Sequence, residues 1–340
     1  MSAARPIVDR LPRRLLVVLL ILVALLALYP AYGPLLFPAK HGFLLQRLTG
    51  IMIVAVMAMS LDLLVGVAGL VSLGHAAFFG LGGYMLALLS PAYEGANLWL
   101  ALPLTVLGVA AAAVVVGFLS IRTSGIYFIM VTLAFGQMGY YFFNDSRVAG
   151  GSDGAYIYVK PTVELFGKTL IDLDDKLTFY YVALGVLVGT YLLLRMLLAS
   201  PFGRVVRAIG VNEHRVRGLG FNPVLYKLVA FTIGGSLAGL SGFLAATQYG
   251  FVNPAMLSWH QSGQVLVMVI LGGMGTLFGP ALGAFILEFA RLGFESITDH
   301  YLLLMGGLII GVVLVLPRGV GGWLLTVTEH RPADPDQEAP

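Results

Sequence analysis

From Leu15 to Leu28 every residue of the chain is apolar, and runs of this kind recur along most of its length. A continuous run does not alternate between apolar and polar positions, so it cannot be a barrel strand with one face to lipid and one to water. It has to be a helix buried on all sides, in protein or in hydrocarbon. The chain has 340 residues, of which 59% are hydrophobic and 11% charged, with a mean hydropathy of +0.91. A soluble domain is about 25% charged, and one globular core of this length has no room for so much apolar surface. The expected class is an all-α polytopic membrane protein.

A membrane-crossing helix needs roughly 20 apolar residues. Candidate passes fall near 15–36, 49–70, 75–92, 98–120, 124–143, 178–198, 226–248, 262–273, 281–297 and 300–316, giving about ten segments (eight to ten). The eighth is too short to cross alone. With the ninth it forms one broken unit around Gly272, Gly273, Met274, Gly275, Thr276, Leu277, Phe278, Gly279 and Pro280. The first run follows Arg5, Arg10, Arg13 and Arg14, as a secretory signal does, but it is long for one and Tyr29-Pro30-Ala31-Tyr32 is not a small-residue cleavage site. It is read as a retained span.

Ten passes place both termini on the same side. Cytoplasmic loops carry the Lys/Arg excess, and the N-terminal arginines, Arg122, the 200–227 segment and Arg318 then all fall inside. The 144–177 loop falls outside, as do Arg291, Glu295, Asp299 and His300. The chain divides into a cytoplasmic tail over 1–14, a transmembrane region over 15–320 with an outer loop at 144–177 and a cytoplasmic loop at 200–226, and a cytoplasmic tail over 321–340. The stretch after Trp323 is polar and proline-containing, and is expected to be disordered.

Glycine is the second message: there are 43, many inside the apolar runs. Gly235-Ser-Leu-Ala-Gly239 and Gly279-Pro-Ala-Leu-Gly283 are small-xxx-small patterns that let helices approach closely. Ser72-Leu73-Gly74-His75 and Gly272–Pro280 interrupt helices near one depth on the cytoplasmic half. Paired broken helices mark transport paths in membrane carriers, which makes Ser72, Gly74, His75, Gly272, Gly273 and Gly275 candidates to line one.

Ionisable and polar groups inside spans are costly and are suspects by default. Asp62 lies mid-run; it either lines a hydrated path or is a capped carboxyl facing Ser60 or another neighbour. Thr132 and Gln137 either line a cavity or bond between helices. Glu288 and Arg291, three apart, are expected to pair. Asn144, Gly150, Gly151, Ser152 and Asp153 form a turn-rich outer segment, either a solvated loop or a docking element at the outer mouth. The six histidines are scattered without metal-site spacing, there is no cysteine, and no G-x-x-x-x-G-K-[ST] occurs. The chain therefore has no catalytic or metal site in view and no phosphate-binding loop of its own, and its net charge of +3 reports topology rather than nucleic-acid binding.

The segment from Ser200 to Lys227 carries Arg204, Arg207, Arg215, Arg217 and Lys227 against Glu213, between apolar runs. It is expected in water at the cytoplasmic face, where a membrane subunit would grip a soluble motor.

Gly69-Leu-Val-Ser-Leu-Gly-His-Ala-Ala-Phe-Phe-Gly-Leu-Gly-Gly-Tyr84 closely resembles the signature of LivM-type permeases, the membrane subunits of branched-chain amino acid ABC importers. In family order follow Gly125–Gln137, Gly150-Gly-Ser-Asp-Gly154, Ser200-Pro-Phe-Gly-Arg-Val-Val-Arg-Ala-Ile209, Asn212-Glu213, Gly218-Leu-Gly220, Leu271-Gly-Gly-Met-Gly-Thr276 and Gly279-Pro280. The resemblance covers about residues 45–320; urea and short-chain amide permeases share the signature. It implies a type II-like importer fold in a bacterial inner membrane, a second LivH-like permease, two cytoplasmic P-loop ATPases that use the ATP, and a periplasmic binding protein. It also implies a coupling loop containing Arg204, Arg207, Asn212, Glu213, Arg215 and Gly220. This sequence departs from the general loop pattern at Leu219, where glycine is expected, and at Asp62, where asparagine is expected. An ion-coupled carrier acting alone would need acids through the spans, and only Asp62 offers one.

Overall fold

The computed structural model describes residues 12–36, 38–91, 95–165 and 168–329; Arg5, Arg10 and the tail from His330 onward lie outside the described residues. Each of the ten apolar segments is mainly helical over its described residues. Among the described residues seven helices are long and apolar enough to cross a membrane, including α1 (Arg13–Leu36), α2 (His41–Asp62), α4 (Leu98–Ser120), α5 (Ile126–Asp145), α6 (Lys176–Ala199) and α9 (Pro223–Tyr249). Shorter helices α3 (His75–Leu89), α10 (Trp259–Gly272) and α11 (Phe278–Glu295) complete the body. The loop after α6 folds into α7 (Pro201–Val211) and α8 (Glu213–Gly218), and α12 (Tyr301–Val315) and α13 (Gly319–Glu329) close the described chain.

Local sequence sets the helix boundaries. Asn97, Asp175, Ser200, Asn212, Asn222 and Ser258 each cap the following helix with a side-chain oxygen, the residue types that satisfy orphan N–H groups. Pro201 and Pro223 occupy first-turn positions, where the missing N–H costs nothing. At the Asp175 cap the Thr178 hydroxyl and N–H hold the carboxyl below the ordinary 3.8.

α2 is the axial element, packed against α6, α9, α10 and α11, while α9 packs on α3 and α4. Water cannot drive apolar helices together inside lipid, so close van der Waals packing has to. A Cβ on Gly235 or Gly239 would lie 2.8 or 2.7 Å from Ala113 or Val109 of α4. A Cβ on Gly283 would lie 2.0 Å from the Met268 carbonyl of α10. Both small-xxx-small patterns are therefore contact faces.

Four expectations are corrected. The 144–177 segment is not only loop: β1 (Ala155–Tyr156) pairs antiparallel with β4 (Phe251–Val252), and β2 (Thr162–Leu165) with β3 (Lys168–Asp172). Short strands supply backbone partners to a segment that lies between helices. The region after Trp323 continues as α13 to Glu329, because Leu325 is buried against Leu15 and Phe278. Arg291 bonds Glu295 at 2.8 Å rather than Glu288. Lys227 is buried and bonded to Glu213 at 2.5 Å, so the island does not lie wholly in water.

Candidate functional site

The two helix breaks meet. After Asp62, α2 continues as a wider turn over Leu63–Val67 and ends, and residues 68–74 lead into α3. The second break, 273–277, lies between α10 and α11. Asp62 joins them: one carboxylate oxygen accepts the Gly275 N–H at 2.7 Å and the other the Leu277 N–H at 3.0 Å. Leu277 has a φ of +62°, a conformation side chains resist and that persists only where surroundings enforce it. Asp62 is fully buried. A Cβ on Gly66 would fall 2.2 Å from the Gly275 nitrogen, so the backbones touch only because position 66 is bare.

The first break has its own polar core. The His75 ring bonds Ser60 Oγ at 2.8 Å through Nε2, and the Ala76 N–H donates to Ser262 Oγ at 2.9 Å. Ser72 Oγ accepts the Gly74 N–H. Ser60, the partner expected for Asp62, thus belongs to His75. Gly74 lies under α5, where a Cβ would meet the Thr132 carbonyl at 2.1 Å; the Thr132 hydroxyl turns back to the Ile129 carbonyl of its own helix.

Of the candidate path residues, Asp62, Ser72, Gly74, His75, Thr132, Gly272, Gly273 and Gly275 are all buried, and only Gln137 is partly exposed. It stands on α5 beside a face that exposes Met130, Met138, Tyr141 and Phe142. The breaks form a packed joint rather than an open channel.

The loop after α6 sits against this joint. α7 buries Gly203, Val206 and Ile209 along one stripe. Arg207 donates to the Leu198 carbonyl at the end of α6, where a cation complements the helix terminus. Gly210 presses on the first break: a Cβ there would lie 2.5 Å from the Val67 carbonyl. Asn212 caps α8 through the Arg215 N–H. Glu213 bonds both Lys227 and Arg217, which fixes α8 to α9. Arg204, Arg215 and Gly220 are exposed, and around them Val211 is 72% and Leu219 75% exposed. The Leu219 side chain, where a bare glycine was expected, thus adds apolar surface to a basic face. Spacing along the sequence offered no sign that Gly210, Asp62 and Gly275 would form one line of contacts.

At the other end, Asn144 bonds Asp145 and Ser152 bonds Asp153, with Gly150 and Gly151 in left-handed turns. The Ile157 N–H reaches the Gly250 carbonyl at 2.8 Å. The turn-rich segment is therefore fastened to the α9–α10 connection.

Residues 43–315 match the family described as branched-chain amino acid transport system, permease component. The chain belongs to this family. It is 33% identical over 321 residues to the high-affinity branched-chain amino acid transport permease LivM of Escherichia coli K12, covering 88% of this chain and 74% of that one. It is 25% identical over 312 residues to BraD of Pseudomonas aeruginosa, covering 84% and 97%, and 30% identical over 129 residues to LivH of Escherichia coli K12, covering 36% and 40%. No solved structure matches. The matched family and relatives are transport permeases, not enzymes, and this chain is a multi-pass membrane subunit of a bacterial transport system.

Proposed function

We propose that this subunit imports branched-chain amino acids, working with a second LivH-like permease, two cytoplasmic P-loop ATPases and a periplasmic binding protein. The observation that carries the reading is the contact of Gly210 with the end of the α2 turn, which places a surface loop one step from a buried joint. The loop takes the ATPase stroke on the exposed face of Arg204, Arg215, Val211 and Leu219. α7 transmits it to Val67 and Ala68. Asp62 passes it to Gly275 and Leu277, so both breaks move as one. A packed joint with two arrangements converts a small push into a switch.

The described cores of the breaks are buried and closely packed, so the path lies where two permeases face each other, with α5 and Gln137 on this chain's side. ATP is bound by the partner ATPases and not by this chain. The chain lies in the bacterial inner membrane, with the basic loop and both termini in the cytoplasm and the 144–177 segment in the periplasm. There Asn144, Gly150, Gly151, Ser152 and Asp153 form the element that meets the binding protein.

The test is uptake of labelled leucine into inner-membrane vesicles holding the chain and its partner subunits, with and without internal ATP and with urea or an amide as competitor. ATP-dependent leucine uptake indifferent to urea supports the reading. Carriage of urea or an amide in place of leucine overturns the substrate, and uptake by this chain alone on an ion gradient overturns the mechanism.

A further inference from the structure

The wall between α1 and the rest of the protein is hollow. α1 is tied to the body at two levels. Pro30 has no N–H to give the carbonyl four residues back, and that carbonyl, Leu26 O, takes the Tyr180 hydroxyl instead at 2.6 Å; Tyr181 reaches Ala27 O at 3.2 Å. At the far end Leu15 is buried with Phe278 and Leu325. Between these ties lies a partly open cavity of about 910 Å³, walled by α1, α2, α6 and α11 with side chains such as Leu22, Met59, Leu187 and Phe285. Water needs two to four polar partners to occupy a buried site, and these walls offer almost none.

The end of the cavity nearest α7 carries an arginine. Arg195 lines it, one turn along α6 from Tyr191, which lines it too. Among the described residues Arg195 has no carboxylate partner. It stands one turn before the α7 loop, and Arg13 and Arg14 are exposed at the facing start of α1. Lys40 also lines the cavity, at the end away from Arg195, and is exposed; a lysine meets phosphate as a point charge where an arginine grips it with two parallel N–H groups. A basic site between membrane helices, continuous with an apolar slot, fits an anionic lipid: a phosphate on the arginine and acyl chains in the slot.

We propose that this cavity seats an anionic phospholipid, its phosphate on Arg195 and its chains between α1 and the α6–α11 wall. Assignment to the inner leaflet rests on the orientation given above; the site itself does not. The occupant fills the slot that α1 alone leaves open and makes the first helix part of the bundle.

The test is native mass spectrometry of the full transporter after stepwise delipidation, with phosphatidylglycerol and phosphatidylcholine offered in equal amounts. The expected result is retained phosphatidylglycerol with about a tenfold preference, because both lipids offer Arg195 a phosphate but the choline cation of phosphatidylcholine offsets that charge and opposes the arginine. Arg195→Gln removes the preference, Lys40→Gln leaves it, and Ala281→Trp, which fills the slot from α11, removes bound lipid of both kinds. Unfolding temperature in detergent verifies that each variant is folded. Equal retention of the two lipids by the wild type overturns the proposal. So does a preference that survives Arg195→Gln or falls with Lys40→Gln, undiminished lipid in folded Ala281→Trp, or lipid bound to the isolated chain but absent from the full transporter. None of these readouts depends on transport, so failure here is distinct from failure of the import reading.

Discussion

Asp62→Asn is a nearly isosteric change at the joint between the two breaks, and its effect follows from counting acceptors. The carboxylate offers two oxygens, and two backbone donors use them, Gly275 N–H at 2.7 Å and Leu277 N–H at 3.0 Å. Asparagine has one oxygen and one NH₂, so one buried N–H faces another donor. Leaving a buried donor unsatisfied costs about 1–3 kcal/mol. Asp62→Ala abandons both donors, roughly doubling the loss to about 2–6 kcal/mol, and frees Leu277 to relax from its φ of +62°. The assay is paired: unfolding of the purified transporter in denaturant, and leucine uptake per ATP hydrolysed in vesicles. The expected order of stability is wild type, then Asn, then Ala, with ATP hydrolysis outlasting uptake because the second break no longer follows the first. Asp62→Asn with wild-type stability and wild-type coupling would refute the argument, since it would mean that the two N–H groups do not need the carboxylate.

The glycine contacts give a contrast. Gly210→Ala puts a Cβ 2.5 Å from Val67 O, so α7 must shift off α2 and uptake per ATP should fall, while Gly306→Ala, which meets nothing within 4 Å, should leave uptake intact and stabilise α12 by about 0.5–1 kcal/mol. Glu213→Ala leaves the buried Lys227 ammonium without its partner. The loss should be about 1–3 kcal/mol, below the ~3–5 kcal/mol of a fully buried pair because Glu213 is partly exposed, and should be recovered in part by adding Lys227→Met, checked by denaturant unfolding. At the start of α6 the Asp175 carboxyl is held below its ordinary value by Thr178. Its contribution is therefore present above the ordinary aspartate value and fades as pH falls through the lower folded one. Amide-exchange protection factors at Leu177 and Thr178, measured against the intrinsic rate at each pH, should fall at that acidic end and be flat across neutral pH, and Asp175→Asn should flatten the acidic fall.

The linear order of residues determined the class and most of the elements. Runs such as Leu15–Leu28 permit only buried helices, caps such as Asp175 and Asn222 mark where helices begin, and Ser200-Pro201 separates α6 from α7, because all of these act within a few residues of chain. The same local logic placed the two breaks, at Ser72–His75 and at Gly272–Pro280. It did not decide what the breaks do. Asp62 read equally well as a path residue or a capped carboxyl, and its two partners stand more than two hundred positions away. Lys227 read as part of a solvated basic island until α8 folded back and buried it on Glu213. Glu288 and Arg291 have the right spacing to pair, but Arg291 bonds Glu295 instead. Hydrocarbon selects for apolar length whatever the neighbours, and that selection is written in composition. Hydrogen bonds and close glycine contacts depend on which backbone arrives at which distance, and only the packing of α2 against α7, α9 and the α10–α11 break fixed that.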